Sequence, residues 1–179
     1  YTNNLRNKKY YRNADHILVH TNNQKNEMLK MELFKDLDIR VFPLGVDTSL
    51  FKPKTIISDI KLIENPKLLY VGRIIEWKRI HLAIESLSQL VQNGFKKASL
   101  KIIGPISSNN YFIDLNNLIN DRGLCDNVEF IKQQKHKDLI SYFQNADLLV
   151  LPSNLETFGM VMIESMACGT PVAAINCPG

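Results

Sequence analysis

The stretch LLVLPSNLETFGMVMIESMACGTPVAAINCP, residues 148–178, decides the fold. Its apolar run 148–151 is short and lies between Asp147 and Pro152, as expected of a strand buried on both faces. A polar loop follows at 153–157. The run from Gly159 through Met160, Val161, Met162, Ile163, Met166 and Ala167 has helical spacing, and Gly169 and Pro171 close it. Residues 172–175 begin a second buried strand. Strand, loop, helix, turn, strand is one βαβ unit. It puts Glu156 at the mouth of the loop and Glu164, eight positions on, within the first two turns of the helix. Both lie near the carboxyl end of a parallel strand, where open α/β sheets bind ligands.

Such an arrangement suits an anionic, hydroxylated ligand. Uncapped N–H groups around Phe158, Gly159 and Met160 can receive phosphate or sugar oxygens at a helix N-terminus. Carboxylates only accept hydrogen bonds and so bind vicinal hydroxyls well, and Gly159 allows close approach to the backbone. The spacing of the two glutamates by itself better fits a capped surface helix whose carboxylates are solvated.

The wording around the pair is more specific. Pro152, Ser153, Glu156, Phe158, Gly159, Glu164, Ala167, Gly169, Pro171 and Val172 match the pattern P-S-x-x-E-x-F-G-x-x-x-x-E-A-x-A-x-G-x-P-V. The chain thereby resembles the retaining glycosyltransferases of the GT-B fold, in the large family four group. Ser165 stands where that family usually has Ala. Upstream, a strand candidate at 67–71 (KLLYV) is followed by Gly72, Arg73 and, five residues after the arginine, Lys78. This is similar to the family's V-G-R-x-x-x-x-K, whose chemistry wants two cations converging on a diphosphate, one of them able to fork onto its oxygens. Arg79 replaces the glycine usual after that lysine.

Working outward, short apolar runs alternate with amphipathic segments. A helix is expected at 80–92, ended by Gly94, and a strand at 99–103. A Gly-Pro loop follows at 104–110, then a helix at 111–121, a strand at 127–131 and a short helix at 137–144 before the strand at 147–151. The fold class expected is α/β: a Rossmann-like parallel sheet with helices on both faces, which the resemblance implies is the GT-B donor domain joined to the tail end of an N-terminal Rossmann-like domain. In the front part, a strand at 16–20 leads to a helix capped by Thr21 and running to about Phe34. A further strand is expected at 39–43. Ala14, Asp15, Pro43, Gly45, Val46, Asp47, Phe51 and Pro53 fit the family's wording for the end of its first domain and its interdomain linker, with Thr21 in place of Ser. The division expected is residues 1–43 as the incomplete acceptor-side domain, 44–66 as linker, and 67–179 as a donor domain incomplete at its C-terminus. The resemblance therefore implies a fragment of a longer enzyme. His16 and His20 flank a strand and read as structural or surface residues.

Composition bounds the rest. With 179 residues and 45% hydrophobic content, the chain can bury at least one full core. The net charge of +4 is mild and dispersed. It suits anionic substrates or a membrane surface better than nucleic acid, which wants a tighter basic stripe. Cys125, Cys168 and Cys177 show no metal spacing and read as reduced thiols of a cytoplasmic protein. No stretch is long and apolar enough to cross a bilayer, and residues 1–12 are too polar for a signal peptide.

The resemblance implies transfer of a sugar from a nucleotide diphosphate sugar with retention at the anomeric carbon, and no bound metal or other cofactor. Arg73 and Lys78 are then expected to stabilise the departing diphosphate, aided by N–H groups of Phe158, Gly159 and Met160. Glu156 is expected on the sugar hydroxyls near the reacting carbon, Glu164 on the ribose and Gly45 beside the phosphates. Ile131 and Lys132 would offer backbone to the base, with Lys132 where the family often has Gly. The partners implied are a nucleotide-sugar donor and a carbohydrate or lipid-linked acceptor. Location in the cytoplasm, at the cytosolic face of a membrane through the domain this chain lacks, is the matching expectation. Two neighbouring readings stay open: an inactive nucleotide-sugar-binding module and a GT-B nucleotide-sugar epimerase. An unrelated Rossmann-like regulator or dehydrogenase is disfavoured, because no Gly-x-Gly-x-x-Gly follows any strand.

Overall fold

The computed structural model describes residues 11, 13–54 and 64–177. The expectations for the polar N-terminus and for most of the polar segment 55–66 fall outside the described residues. Packing divides the described residues into two compact units, one of residues 11, 13–45 and 156–158, the other of residues 46–54, 64–155 and 159–177.

In the first unit, β1 (Ile17–Val19) pairs in parallel with β2 (Ile39–Val41), and α1 (Asn22–Leu29) connects them. The Thr21 hydroxyl accepts the Gln24 N–H at 3.0 Å and caps α1 as expected of an N-terminal threonine. The helix is shorter than the sequence reading, which carries it to Phe34. From Met31 onward the N–H groups reach back three residues, Met31 to Met28, Phe34 to Met31 and Leu37 to Phe34. That tighter winding turns Phe34 into a small core with Val19 and Ile39, and burial of an aromatic ring outweighs one more turn of regular helix.

The second unit is a five-stranded, wholly parallel sheet in the order β5-β4-β3-β6-β7. Its strands are β3 (Lys67–Val71), β4 (Ser99–Ile103), β5 (Val128–Ile131), β6 (Leu148–Leu151) and β7 (Val172–Ala174), joined by α2 (Ile80–Gln92), α3 (Asn109–Asp121), α4 (Leu139–Asn145) and α5 (Met160–Ala167). Alternation along β3 divides the core. Leu68 and Tyr70 pack with Ile80, Ile84 and Leu87 of α2 and with Leu115 of α3. Leu69 and Val71 pack on the other side with Phe143, Cys168 and Phe51. β3 and β6 are buried on both faces and so read as apolar runs, whereas the edge strand β7, expected to be buried, is largely exposed; the helices cover both faces as a Rossmann-like sheet requires.

This topology fixes where loops can meet. The chain leaves β3 toward β4 and β5, then returns to lay β6 on the opposite side of β3. The order therefore reverses between β3 and β6, and their carboxyl ends open a crevice there. The segment 137–144, read as one short helix, is a 3₁₀ turn at His136–Asp138 followed by α4.

Candidate functional site at the carboxyl edge of the sheet

The loop after β3 is held by its own backbone and by one buried ring. Tyr70 is fully buried, and its hydroxyl donates to the Arg73 carbonyl at 3.0 Å. Gly72 makes room for that bond, since a Cβ there would lie 2.8 Å from the Tyr70 oxygen. A Cβ on Gly104 would overlap the Gly72 carbonyl oxygen, so the loops after β3 and β4 run in contact only because position 104 is glycine. Ladder bonds extend the row: Gly72 N–H to Ile103 at 2.9 Å and Gly104 N–H to Ile131 at 3.1 Å. The loop after β4 then secures the far end. Ser107 N–H donates to Ile74 at 3.0 Å, and the Ser108 hydroxyl donates to the Glu76 carboxylate at 2.5 Å. That hydrogen bond holds the Glu76 carboxyl below its usual pKa.

Arg73 is thereby fixed at its backbone while its side chain stays exposed. The guanidinium lies 5.4 Å from the centre of the Trp77 ring, a cation–π contact that orients it without neutralising it. The Asn154 N–H donates to the Trp77 carbonyl at 2.8 Å. This one bond ties the loop after β6 to the loop after β3 at the strand-order reversal. Lys78 closes the same loop within a 3₁₀ turn, Glu76–Lys78.

The helices that follow β3 and β6 begin alike. Arg79 (φ 52°, ψ 38°) precedes α2 and Gly159 (φ 76°, ψ 52°) precedes α5; both are left-handed, and neither helix carries a side-chain cap. By contrast, the Ser108 hydroxyl caps α3. Two helix N-termini without a side-chain acceptor thus belong to the two loops that meet, which leaves N–H groups and positive dipole ends for an anion. The loops 72–79 and 132–138 add six lysines and arginines against two carboxylates, Glu76 and Asp138, so the edge favours a negatively charged ligand.

The structure brings the predicted residues together only in part. Arg73, Lys78, Gly159 and Met160 belong to the two loops and to the helix start just described. Ile131 ends β5, its carbonyl engaged by Gly104; Lys132 is exposed and its carbonyl accepts from Gln134 at 2.8 Å. Glu156 and Phe158 pack with the first unit, where the Phe158 ring stands edge-on to His20 at 6.3 Å. Gly45 belongs there too and is exposed; a Cβ would meet nothing within 4 Å, so no contact inside the protein demands glycine.

Glu164 has a partner that the sequence reading missed. It is 4% exposed, and His136 donates from Nε2 to its Oε1 at 2.8 Å. His136 follows β5 in a lysine-rich loop, and its place just beyond a strand's carboxyl end was the available signal. Ser165 has a structural duty, its buried hydroxyl donating to the Thr170 carbonyl at 3.0 Å. An apolar-walled groove of about 450 Å³ beside α2, bounded by Leu82, Val150, Pro152 and Ile175, shares no residue with the predicted site. Among the described residues no three His, Cys, Asp or Glu side chains cluster as a metal site, and no helix is long and apolar enough to cross a membrane.

Comparison with known proteins follows the same outline. A sequence model of the family described as glycosyl transferases group 1 matches residues 54–179. The D-inositol 3-phosphate glycosyltransferase of Nocardiopsis dassonvillei is 29% identical over 177 residues, 94% of this chain and 41% of the relative. That of Mycobacterium bovis is 30% identical over 169 residues, 90% of this chain and 34% of the relative. Among solved structures, sucrose-phosphate synthase from Thermosynechococcus elongatus superposes with a TM-score of 0.76 at 30% identity, covering 97% of this chain and 43% of that one. Anabaena HepE in complex with UDP and glucose gives 0.79 at 24% identity, covering 94% and 46%, a likeness of fold. The chain spans less than half the length of each of these four proteins.

Proposed function

The chain belongs to the glycosyl transferases group 1 family, and on that premise we propose that it forms the nucleotide-sugar side of a glycosyltransferase. The reaction proposed is transfer of a sugar from a nucleotide diphosphate sugar to a carbohydrate or lipid-linked acceptor, with retention at the anomeric carbon. The observation that carries this reading is the junction of the loops after β3 and β6, closed by the Asn154–Trp77 bond, with an exposed, oriented Arg73 on one side and the uncapped start of α5 on the other.

In this reading Arg73 and Lys78 take the charge that develops on the diphosphate as the glycosidic bond breaks. Preorganised charge of this kind is usually the largest catalytic contribution. The N–H groups of Phe158, Gly159 and Met160 add the positive end of α5. Glu164 accepts from the ribose hydroxyls and Glu156 from hydroxyls of the transferred sugar. Gly45 approaches the phosphates, and the backbone at Ile131 and Lys132 borders the base. We assign residues 1–43 to the acceptor side, 44–66 to the linker and 67–179 to the donor domain. The three free cysteines support a cytoplasmic location.

The test is proton NMR of UDP-, GDP- and ADP-glucose incubated with the chain, alone and within a longer polypeptide carrying an acceptor domain. Transfer or slow hydrolysis releasing the α-anomer first supports a retaining transferase. Conversion of one nucleotide sugar into its epimer would favour the epimerase reading. Binding without turnover in the longer polypeptide would favour an inactive module.

A further inference from the structure

Glu164 is a buried carboxylate with its two oxygens in different states. Oε1 accepts from His136 at 2.8 Å. Oε2 has no protein partner among the described residues, yet no buried side-chain oxygen there lacks a hydrogen bond, so Oε2 reaches solvent. The histidine is built to hold Oε1. Its ring is tilted against Phe51 with centroids 4.9 Å apart, and Phe51 is 2% exposed, anchored in the core beside Phe143. A carboxylate only accepts, so Nε2 carries the hydrogen and the tautomer is set by the contact. His136 itself remains largely exposed, with 66% of its side chain accessible. It lies in the 3₁₀ turn that leads into α4, so its backbone is also fixed.

We propose that His136 is a positioning residue of the nucleotide site: seated on Phe51, it donates to Oε1 of Glu164 and fixes the carboxylate so that Oε2 is the oxygen left to accept from a ribose hydroxyl. The proposal rests on the assignment of Glu164 to the ribose and adds the residue that orients it. A glutamate has three rotatable bonds, and holding one oxygen removes the freedom that a ligand would otherwise have to quench. Orientation of a ligand-binding group by a histidine N–H follows the same logic as the outer-shell partners of metal ligands.

The experiment is metal-free calorimetry of the full chain with UDP and with 2′-deoxy-UDP, GDP and ADP pairs being used if UDP gives no heat. His136→Ala should lower UDP affinity about tenfold, the range of one lost orienting hydrogen bond, and should narrow the ratio between the ribose and deoxyribose ligands. His136→Gln, whose amide can still donate, should restore most of both. Glu164→Ala should abolish the discrimination, and His136→Ala should add nothing in that background. Unchanged or tighter UDP binding in His136→Ala, with Glu164→Ala still impaired, overturns the positioning role and leaves the ribose assignment standing. Unchanged binding in Glu164→Ala overturns the ribose assignment and the proposal with it, as does the absence of heat from all three nucleotides. Because His136 is exposed, unaltered melting of His136→Ala separates loss of orientation from loss of folding.

Discussion

The two helix starts at Arg79 and Gly159 use one backbone geometry for different ends. Both residues are left-handed, both precede a helix without a side-chain cap, and both follow strands that flank the order reversal. At Gly159 the geometry favours glycine, for a Cβ would bring left-handed strain and would have to push aside the end of Met162. At Arg79 an ordinary side chain bears the strain, the one described non-glycine residue with positive φ. In the proposed site it is the start of α5 that receives the anion. The start of α5 keeps its backbone bare, whereas the start of α2 has accepted a side chain and an extra positive charge beside Lys78.

The largest effect should come from removing that bareness. Gly159→Ala should destabilise the chain by about 1–2 kcal/mol through left-handed strain, the Met162 tip being free to shift, and should cost nucleotide affinity as well. Chemical denaturation and calorimetry read the two separately, and loss of neither would break the contrast. Next, Ser108→Ala removes the cap of α3 and the hydroxyl that holds Glu76. About 1 kcal/mol of stability should go, and the loop bearing Arg73 and Lys78 should show faster amide exchange. The converse change, Arg79→Gly, should be stabilising by about 0.5–1 kcal/mol, left-handed strain relieved less the entropy glycine adds to the unfolded chain. A destabilised Arg79→Gly would mean that the arginine contributes a contact beyond its backbone.

How far the sequence reaches is clear from these same elements. Apolar runs bounded by turn residues gave β3 and β4, and helical spacing of the buried Ile80, Ile84 and Leu87 gave α2, each with its observed limits, because burial leaves little choice of residue. The motif residues of the loops after β3 and β6 were also legible, since Gly, Arg, Lys and Glu occur there at fixed intervals. Three features were not. The shortened α1 depends on Phe34 reaching Val19 and Ile39, a tertiary preference that local periodicity does not carry. The left-handed Arg79 defies the residue preference on which reading turns depends. His136 meets Glu164 from 28 positions away, through packing of the turn before α4 beside α5, and no spacing rule joins two such distant residues.

The smallest predicted effect concerns acidity. His81, in the first turn of α2, is held below its usual pKa by burial and then by the Arg79 charge. The unfolded chain therefore takes up this proton first as pH falls. His81 stabilises fully above its unfolded value near 6.5 and loses that contribution as the pH drops toward its lower folded value. The melting temperature should decline slightly across that window. His81→Gln should flatten the decline, and Arg79→Gly should shrink it by removing the nearby charge. An unaltered profile in both variants would sever the link between Arg79 and the start of α2.

In the proposed function the reversal between β3 and β6 holds a nucleoside diphosphate through Arg73. The most direct measurement is calorimetric titration of UDP, GDP and ADP into the full chain in the presence of a chelator, wild type against Arg73→Ala. Saturable binding of one of the three is expected, with at least a tenfold loss in the variant, the scale of a charge-assisted contact to phosphate. Equal affinity in the two proteins, with both folded, would contradict it.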